Sequence, residues 1–361
     1  MFIKKLVVQN FRNHKQTEII LGEGLNFFVG PNAQGKTNLL EAIFIICVGR
    51  GWRTNKDKEL INFDSDFYKI EATTQKDFGE VLIEVSYKDG KKYIKINGVP
   101  IQKVSSLMGQ VNCVFFSPDE LKLIKEAPSD RRRFMDIDIS QLDKNYFLAL
   151  IKYNKILAQR NALLKSQTED IKSGLEIWDK SLIAVGEYLI SKRIKFLKNI
   201  EKRLQDVHSV FTNNEEIIKI SYENSCGESS FETALINARE KDTRLKTTTI
   251  GPHRDDIKIS INTRDVRSFA SQGQQRTAAL SIKLAELQFF KEITGETPIL
   301  LLDDVLSELD ENRRAKLIEL TRGVQCIITT TEKNDAEVGA EIFNISKGEV
   351  ILNSLQQKQS Q

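Results

Sequence analysis

The chain has 361 residues, 40% hydrophobic and 29% charged, with 53 Lys and Arg against 50 Asp and Glu for a net charge of +3. It is long enough for a large core or two domains, and so mild a positive balance permits a nucleic-acid partner without requiring one. No apolar run approaches the roughly 20 residues that span a bilayer, Met1 to Asn10 is too interrupted for a signal peptide, and Cys47, Cys113, Cys226 and Cys326 form no C-x-x-C pair; a cytoplasmic protein with reduced thiols and no membrane partner is expected.

Phe2 to Val8 and Thr17 to Leu21 read as strands around a polar turn, Asn10 to His14. An apolar run, Leu25 to Val29, then leads into Gly30-Pro31-Asn32-Ala33-Gln34-Gly35-Lys36-Thr37 and a helical segment from Asn38 to about Val48. The spacing G-x-x-x-x-G-K-T between strand and helix is that of a phosphate-binding loop. Gly30 and Gly35 let the backbone come close to a ligand, while loop N–H groups and the helix N-terminus face phosphate oxygens. Lys36 is expected on the β- and γ-phosphates and the Thr37 hydroxyl on Mg²⁺. Gly30 through Asn38 are the expected contacts of ATP or GTP. In the next loop, Arg50 and Arg53 could reach a phosphate of the nucleotide or of DNA, or be solvated.

Residues 67–73, 79–87 and 92–96 alternate in polarity, and Asp89-Gly90 and Asn97-Gly98 supply hairpin turns, which predicts an antiparallel sheet. Val111 to Phe116 reads as a buried strand, and Ser117-Pro118-Asp119-Glu120 as a helix start. From about Ser129 apolar residues recur at helical spacing, Phe134 to Leu164 and, after a polar break at 166–170, Leu175 to Phe211. Two antiparallel helices of about 30 residues each are expected. Ile217 to Tyr222 and Ile257 to Ile261 read as strands, and Phe231 to Lys241 as a helix.

Pro298 to Asp304 is an apolar strand ending in two carboxylates, and buried parallel strands look like this. Ligands of open α/β sheets sit at the carboxyl ends of strands, so Asp303 is expected to hold Mg²⁺ opposite Thr37. Asp304 is placed to orient or deprotonate the attacking water, and with Lys36 it forms the expected catalytic pair. Because Thr37 and Asp303 must meet at one metal, the two ends of the chain fold together. A split nucleotide-binding domain, 1–128 with 214–361, carrying an inserted helical arm, 129–213, is predicted. A third segment, Ala270-Ser271-Gln272-Gly273-Gln274, opens a long apolar helix; taken alone it reads best as an ordinary N-cap, but beside a phosphate loop it offers a second anion site, suggestive of a nucleotide shared between two subunits.

Together these segments resemble the ATP-binding-cassette class of ATPases, in its chromosome-maintenance branch. Ser271, Gln272, Gly273 and Gln274 look like the class signature, and Ser307-Glu308-Leu309-Asp310 like the loop after the carboxylate-bearing strand. Further segments, Leu6 to Asn13, Phe116 to Leu121, Arg131 to Asp136 and Gly251-Pro252-His253-Arg254-Asp255-Asp256, resemble the family of bacterial recombination mediators over nearly the whole chain. The resemblance implies an α/β ATPase head, of mixed sheet with helices plus an antiparallel β subdomain, bearing an all-helical arm. It implies an ATP-dependent homodimer in which the signature of one subunit meets the nucleotide of the other. It further implies slow, DNA-stimulated ATP hydrolysis, binding to single- and double-stranded DNA at gaps, and action with RecR and RecO to load RecA. The chain departs from the class in carrying Asp304 where most members have Glu and threonines where they have a switch histidine; Asp310, Thr330 and Thr331 are the switch candidates, and His253 is a replacement, a structural residue or a DNA-proximal one.

Basic residues cluster at Arg131, Arg132 and Arg133 and at Lys192, Arg193, Lys195, Lys198, Lys202 and Arg203, which nominates them for phosphate contacts or for a solvated helix face. The alternative functions are an architectural DNA clamp of the chromosome-maintenance type and the ATPase subunit of a transporter, which the long basic arm disfavours.

Overall fold

The computed structural model describes residues 1–117, 122–125, 127–166, 171–331 and 339–353. The helix start expected at Pro118, most of the break at 166–170 and the polar tail from Gln356 lie outside the described residues. The chain divides into two compact units, Met1–Glu120 with Lys283–Gln361, and Leu121–Ile282.

In the first unit, β1 (Phe2–Phe11), β2 (His14–Ile20), β3 (Leu25–Val29), α1 (Lys36–Val48), β4 (Phe67–Lys76), β5 (Gly79–Lys88), β6 (Lys91–Ile96), β7 (Val99–Ile101) and β8 (Cys113–Phe116) follow one another. The antiparallel sheet has the order β2-β1-β4-β5-β6-β7. Its hairpins close where expected, since Asp89 (φ 50°) with Gly90 (φ 76°), and Asn97 (φ 50°) with Gly98 (φ 78°), supply the two left-handed residues of a tight turn.

The second unit holds α2 (Lys122–Lys125), α3 (Pro128–Leu142), α4 (Lys144–Lys165), α5 (Ile171–Thr212), β9 (Ile218–Glu223), α6 (Phe231–Asn237), α7 (Arg239–Leu245), β10 (Asp256–Ile261), β11 (Arg264–Asp265), α8 (Val266–Phe269) and the first half of α9 (Gln272–Thr294), which crosses the unit boundary. Two features differ from the two-helix expectation. The first helical stretch breaks at Asp143, whose carboxylate accepts from Asn145 N and Tyr146 N and so starts α4 afresh. The second unit also runs on past 213 to Ile282, because β9, β10 and β11 form a sheet of their own on which α5 packs. The α4 and α5 helices are antiparallel neighbours; Leu163 lies against Gly174, and Asp143 pairs with Lys192.

The chain then returns to the first unit as β12 (Ile299–Asp303), α10 (Glu311–Leu320), β13 (Cys326–Thr330), β14 (Glu341–Ser346) and β15 (Glu349–Asn353). The second sheet runs β15-β14-β3-β13-β12-β8, with every pair parallel except β14–β15. Leu300, Leu301, Leu302, Ile327 and Ile328 are buried, as strands covered on both faces must be.

Candidate nucleotide site

Strand β13 lies between β3 and β12, with Thr329 opposite Phe28 on one side and Asp303 on the other. This register carries the loop after β3 and the carboxylates after β12 to one end of the sheet. Thr37 Oγ1 donates to Asp303 Oδ1 at 2.7 Å, and Thr329 Oγ1 donates to the same oxygen at 2.8 Å. The Asp304 N–H in turn donates to Thr329 Oγ1 at 2.8 Å. Asp304 sits at φ 52°, and its Oδ1 is buried without a hydrogen-bond partner. Lys36 Nζ donates to the carbonyls of Gly30 (2.5 Å) and Pro31 (2.9 Å). Burial pulls the lysine below its ordinary pKa, against the nearby charges of Asp304 and Asp303. Burial pushes the Asp303 carboxyl up, and the Thr37 and Thr329 hydroxyls oppose it.

The two loop glycines answer to different constraints. A Cβ on Gly30 would stand 2.2 Å from the carbonyl oxygen of Ile345 in β14, whereas Gly35 takes φ 113° and has no room beside His14 and Asn13. The surroundings of the loop were missed by sequence reasoning. Asn13 Nδ2 donates to Gln34 O (2.9 Å), and Asn38 Nδ2 donates to Asn13 Oδ1 (2.7 Å). The buried His14 ring lies between Gly35 O (3.1 Å) and Gly348 O (2.8 Å), and Lys347 N donates to Gln34 Oε1 (2.6 Å). The only sequence signal is the polar turn at Asn10 to His14. Nothing local links it to a loop 21 positions on or to a hairpin at the far end of the chain.

Arg53 is exposed and at the same time engaged by a buried carboxylate. It and Arg12 both clasp Glu41, which is fully buried in α1, at 2.7 and 3.0 Å, and Arg53 also donates to Asn38 Oδ1. Of the threonines at the end of β13, Thr329 touches Asp303, while Thr330 is buried with its carbonyl accepting from Gly30 N (3.3 Å) and Thr331 is exposed. Asp310 caps α10 through Arg313 N at 2.9 Å. A carboxylate and a hydroxyl adjoining a loop of this kind form the oxygen-donor set that suits Mg²⁺, and the unpartnered Asp304 oxygen is a ready proton acceptor.

Residues 2–352 match the family described as RecF/RecN/SMC N terminal domain. The chain is 42% identical over 358 residues to the DNA replication and repair protein RecF of Agathobacter rectalis, covering 97% of this chain and 99% of that one. It is equally 42% identical to the RecF of Clostridium acetobutylicum over 361 residues. The chain belongs to the RecF family. A solved structure described as the recombination mediator protein RecF-ATP in the RecFOR pathway superposes with a TM-score of 0.91 at 40% identity, covering 98% of each chain. A chromosome-maintenance (Smc) head bound to the C-winged helix domain of ScpA reaches a TM-score of 0.58 at 17% identity, a likeness of fold.

In this RecF-family chain the signature segment begins α9 as a capping box. Ser271 Oγ accepts from Gln274 N (3.2 Å), and Gln274 Oε1 accepts from Ser271 N (2.9 Å). Ser271 and Gln272 are exposed. His253 is a structural residue of the second unit. Its Nε2–H donates to Thr248 O (3.1 Å), Nδ1 accepts from Tyr153 OH (2.8 Å), and burial pushes its pKa down to about 4.

Among the basic candidates, Arg131 and Arg193 are corrected. Arg131 is 3% exposed in an ion pair with Asp256 (2.6 Å), and Arg193 is 2% exposed between Asp136 (2.8 Å), Tyr146 and the Pro252 carbonyl. Both serve the interior, where an unpaired charge would be costly. Arg132 donates to Asp255 O (2.8 Å), Arg133 is half-buried, and Lys192 pairs with Asp143 (2.5 Å). Lys195, Lys198 and Lys202 are exposed at i, i+3 and i+7 on one face of α5.

Proposed function

We propose that this protein is an ATP-dependent DNA-binding protein of replication and recombinational repair, with ATP acting chiefly as a switch for homodimerisation. The observation that carries this reading is the Thr37–Asp303 contact beside the phosphate loop, in a chain that matches a RecF relative over 97% of its length. Gly30, Pro31, Asn32, Ala33, Gln34, Gly35, Lys36, Thr37 and Asn38 hold the triphosphate, and Thr37 with Asp303 hold Mg²⁺. The metal, when bound, neutralises charge on the β- and γ-phosphates. Asp304 accepts the proton of the attacking water through its unpartnered oxygen, and Thr329 fixes that aspartate by its backbone. An aspartate reaches less far than a glutamate, which accords with slow turnover. Ser271 to Gln274 of one copy meet the γ-phosphate held by the other, and the Lys195–Lys198–Lys202 face of α5 contacts DNA phosphates. The partners are gapped DNA, RecR and RecO, with RecA loading as the outcome, in the cytoplasm.

Sedimentation with and without ATP, on wild type and Ser271→Arg, tests the switch. An ATP-induced dimer that the variant loses while still binding ATP supports it; a monomer under every condition sinks it. Loading of RecA onto gapped DNA, if absent, would leave the architectural clamp as the better reading.

A further inference from the structure

The signature turn is held from behind by a polar chain, partly exposed at Gln274 and Glu216 and buried at His208 and Ser281, that belongs to another part of the second unit. Gln274 closes the capping box on Ser271 with its Oε1, and its Nε2 donates to Glu216 Oε1 at 2.8 Å. The other oxygen of Glu216 accepts from His208 Nε2 at 3.0 Å. His208 lies near the end of α5 and is fully buried, and its Nδ1 shares a hydrogen bond of 3.0 Å with Ser281 Oγ, two turns further along α9. Ser281 is also fully buried and reaches the Thr277 carbonyl (2.7 Å). One carboxylate thus faces two donors, and both of its oxygens are used.

The amide of a glutamine turns freely about its last bond, and a capping box uses only one of its ends. The Glu216 contact takes the other end and so selects one orientation of the Gln274 amide, the one with its oxygen on Ser271 N–H. Among the described residues no other side chain bonds Gln274. Ser271 stays exposed while the residue behind it is fixed. A cleft of about 410 Å³, lined by Phe269, Ala270 and Gln274 among others, opens beside the same turn. Phe269 is 71% exposed there. The side of the turn away from the chain's own core is therefore open to another molecule.

We infer that Glu216, itself held by His208, is a positioning residue for the signature, presetting the Ser271 hydroxyl, whose own proton the capping box does not use, for the nucleotide of a second copy of this chain. The inference rests on the trans-signature reading above. Glu216 touches no nucleotide on this view; it acts through Gln274.

The test compares Glu216→Ala, Glu216→Gln, the neighbouring exposed control Glu215→Ala and Ser271→Arg. Fluorescent ATP binding at low protein concentration, ATP-dependent dimerisation by sedimentation and thermal melting are read for each. Glu216→Ala is expected to bind ATP like wild type and to melt slightly lower, since the buried His208 loses a partner, but to dimerise about tenfold more weakly, the effect of removing one charge-assisted hydrogen bond. Glu216→Gln, which still offers an amide oxygen to Gln274, is expected to restore most of that loss, and Glu215→Ala to change nothing. Dimerisation of Glu216→Ala at wild-type strength, while Ser271→Arg fails, overturns the positioning role and leaves the trans site standing. Parallel losses of melting temperature and dimerisation in both Glu216 variants would make the residue a fold element and also overturn it. Wild-type dimerisation by Ser271→Arg would instead remove the reading on which the inference rests.

Discussion

Gly30 carries two demands at once, a tight loop and the close passage of β14. Gly30→Ala would drive a Cβ to 2.2 Å from the Ile345 carbonyl, which is backbone and cannot swing aside. Titration with fluorescent ATP is expected to show binding at least about tenfold weaker; unchanged affinity would mean that the strand yields. A second residue with a measurable signature is His253. In the unfolded chain its ring titrates near 6.5, and in the fold near 4. Between those values the unfolded state binds more protons, so stability falls as pH falls through that window. From pH 7 to pH 5 this one group is expected to remove about 2 kcal/mol. Urea midpoints at the two pH values should show a smaller difference in His253→Gln than in wild type, and equal differences would rule the histidine out as a source of acid lability.

Elements of the second unit are tied by charge as well as by apolar packing. Arg160 on α4 is fully buried, with Asp179 of α5 at 2.7 Å and Asp242 of α7 at 2.7 Å, and it donates to Thr248. Asp179 is shared with Arg239 (2.7 Å), and Asp242 also accepts from the Thr249 N–H and hydroxyl. Removing the arginine would strand two carboxylates inside. Arg160→Met is expected to cost about 3 kcal/mol or more, less than two wholly unpartnered carboxylates would, because Arg239 and Thr249 remain. Denaturant unfolding followed by limited proteolysis of the 121–282 unit measures it, and a shift under about 1 kcal/mol would mean that the network contributes little net stability.

The proposed binding of DNA belongs to the whole molecule, because a polyanion meets only charges that the tertiary structure leaves on the outside. Arg131 and Arg193 do not qualify, and Lys192 is occupied by Asp143. Reversal of Lys195, Lys198 and Lys202 to Glu is expected to weaken binding about uniformly across DNA sequences. The slope of log K against log salt should fall by about 2 to 3, near one unit for each phosphate that is no longer neutralised. An unchanged slope would move the DNA surface off this face of α5.

Much of the candidate site was legible from residue types and spacing, because a phosphate loop is a local motif. Gly30, Gly35, Lys36 and Thr37 lie within one strand–loop–helix turn, and the acidic end of an apolar strand at Asp303 announces itself in the same way. The β hairpins were legible too, since Asp89-Gly90 and Asn97-Gly98 meet their turn geometry within two residues. Whether a charge faces water or a partner was not. Arg131 and Arg193 read like any basic cluster until Asp256 and Asp136 are brought against them. The clamp of Asn13, His14 and Lys347 around the loop, and the line from Ser281 through His208 and Glu216 to Gln274, join residues distant in sequence. Which chemistry the chain carries is set by residue order, because that chemistry depends on neighbours along the backbone. Which polar groups support it, and which charges remain outside, is set only on folding, because burial and pairing depend on neighbours in space.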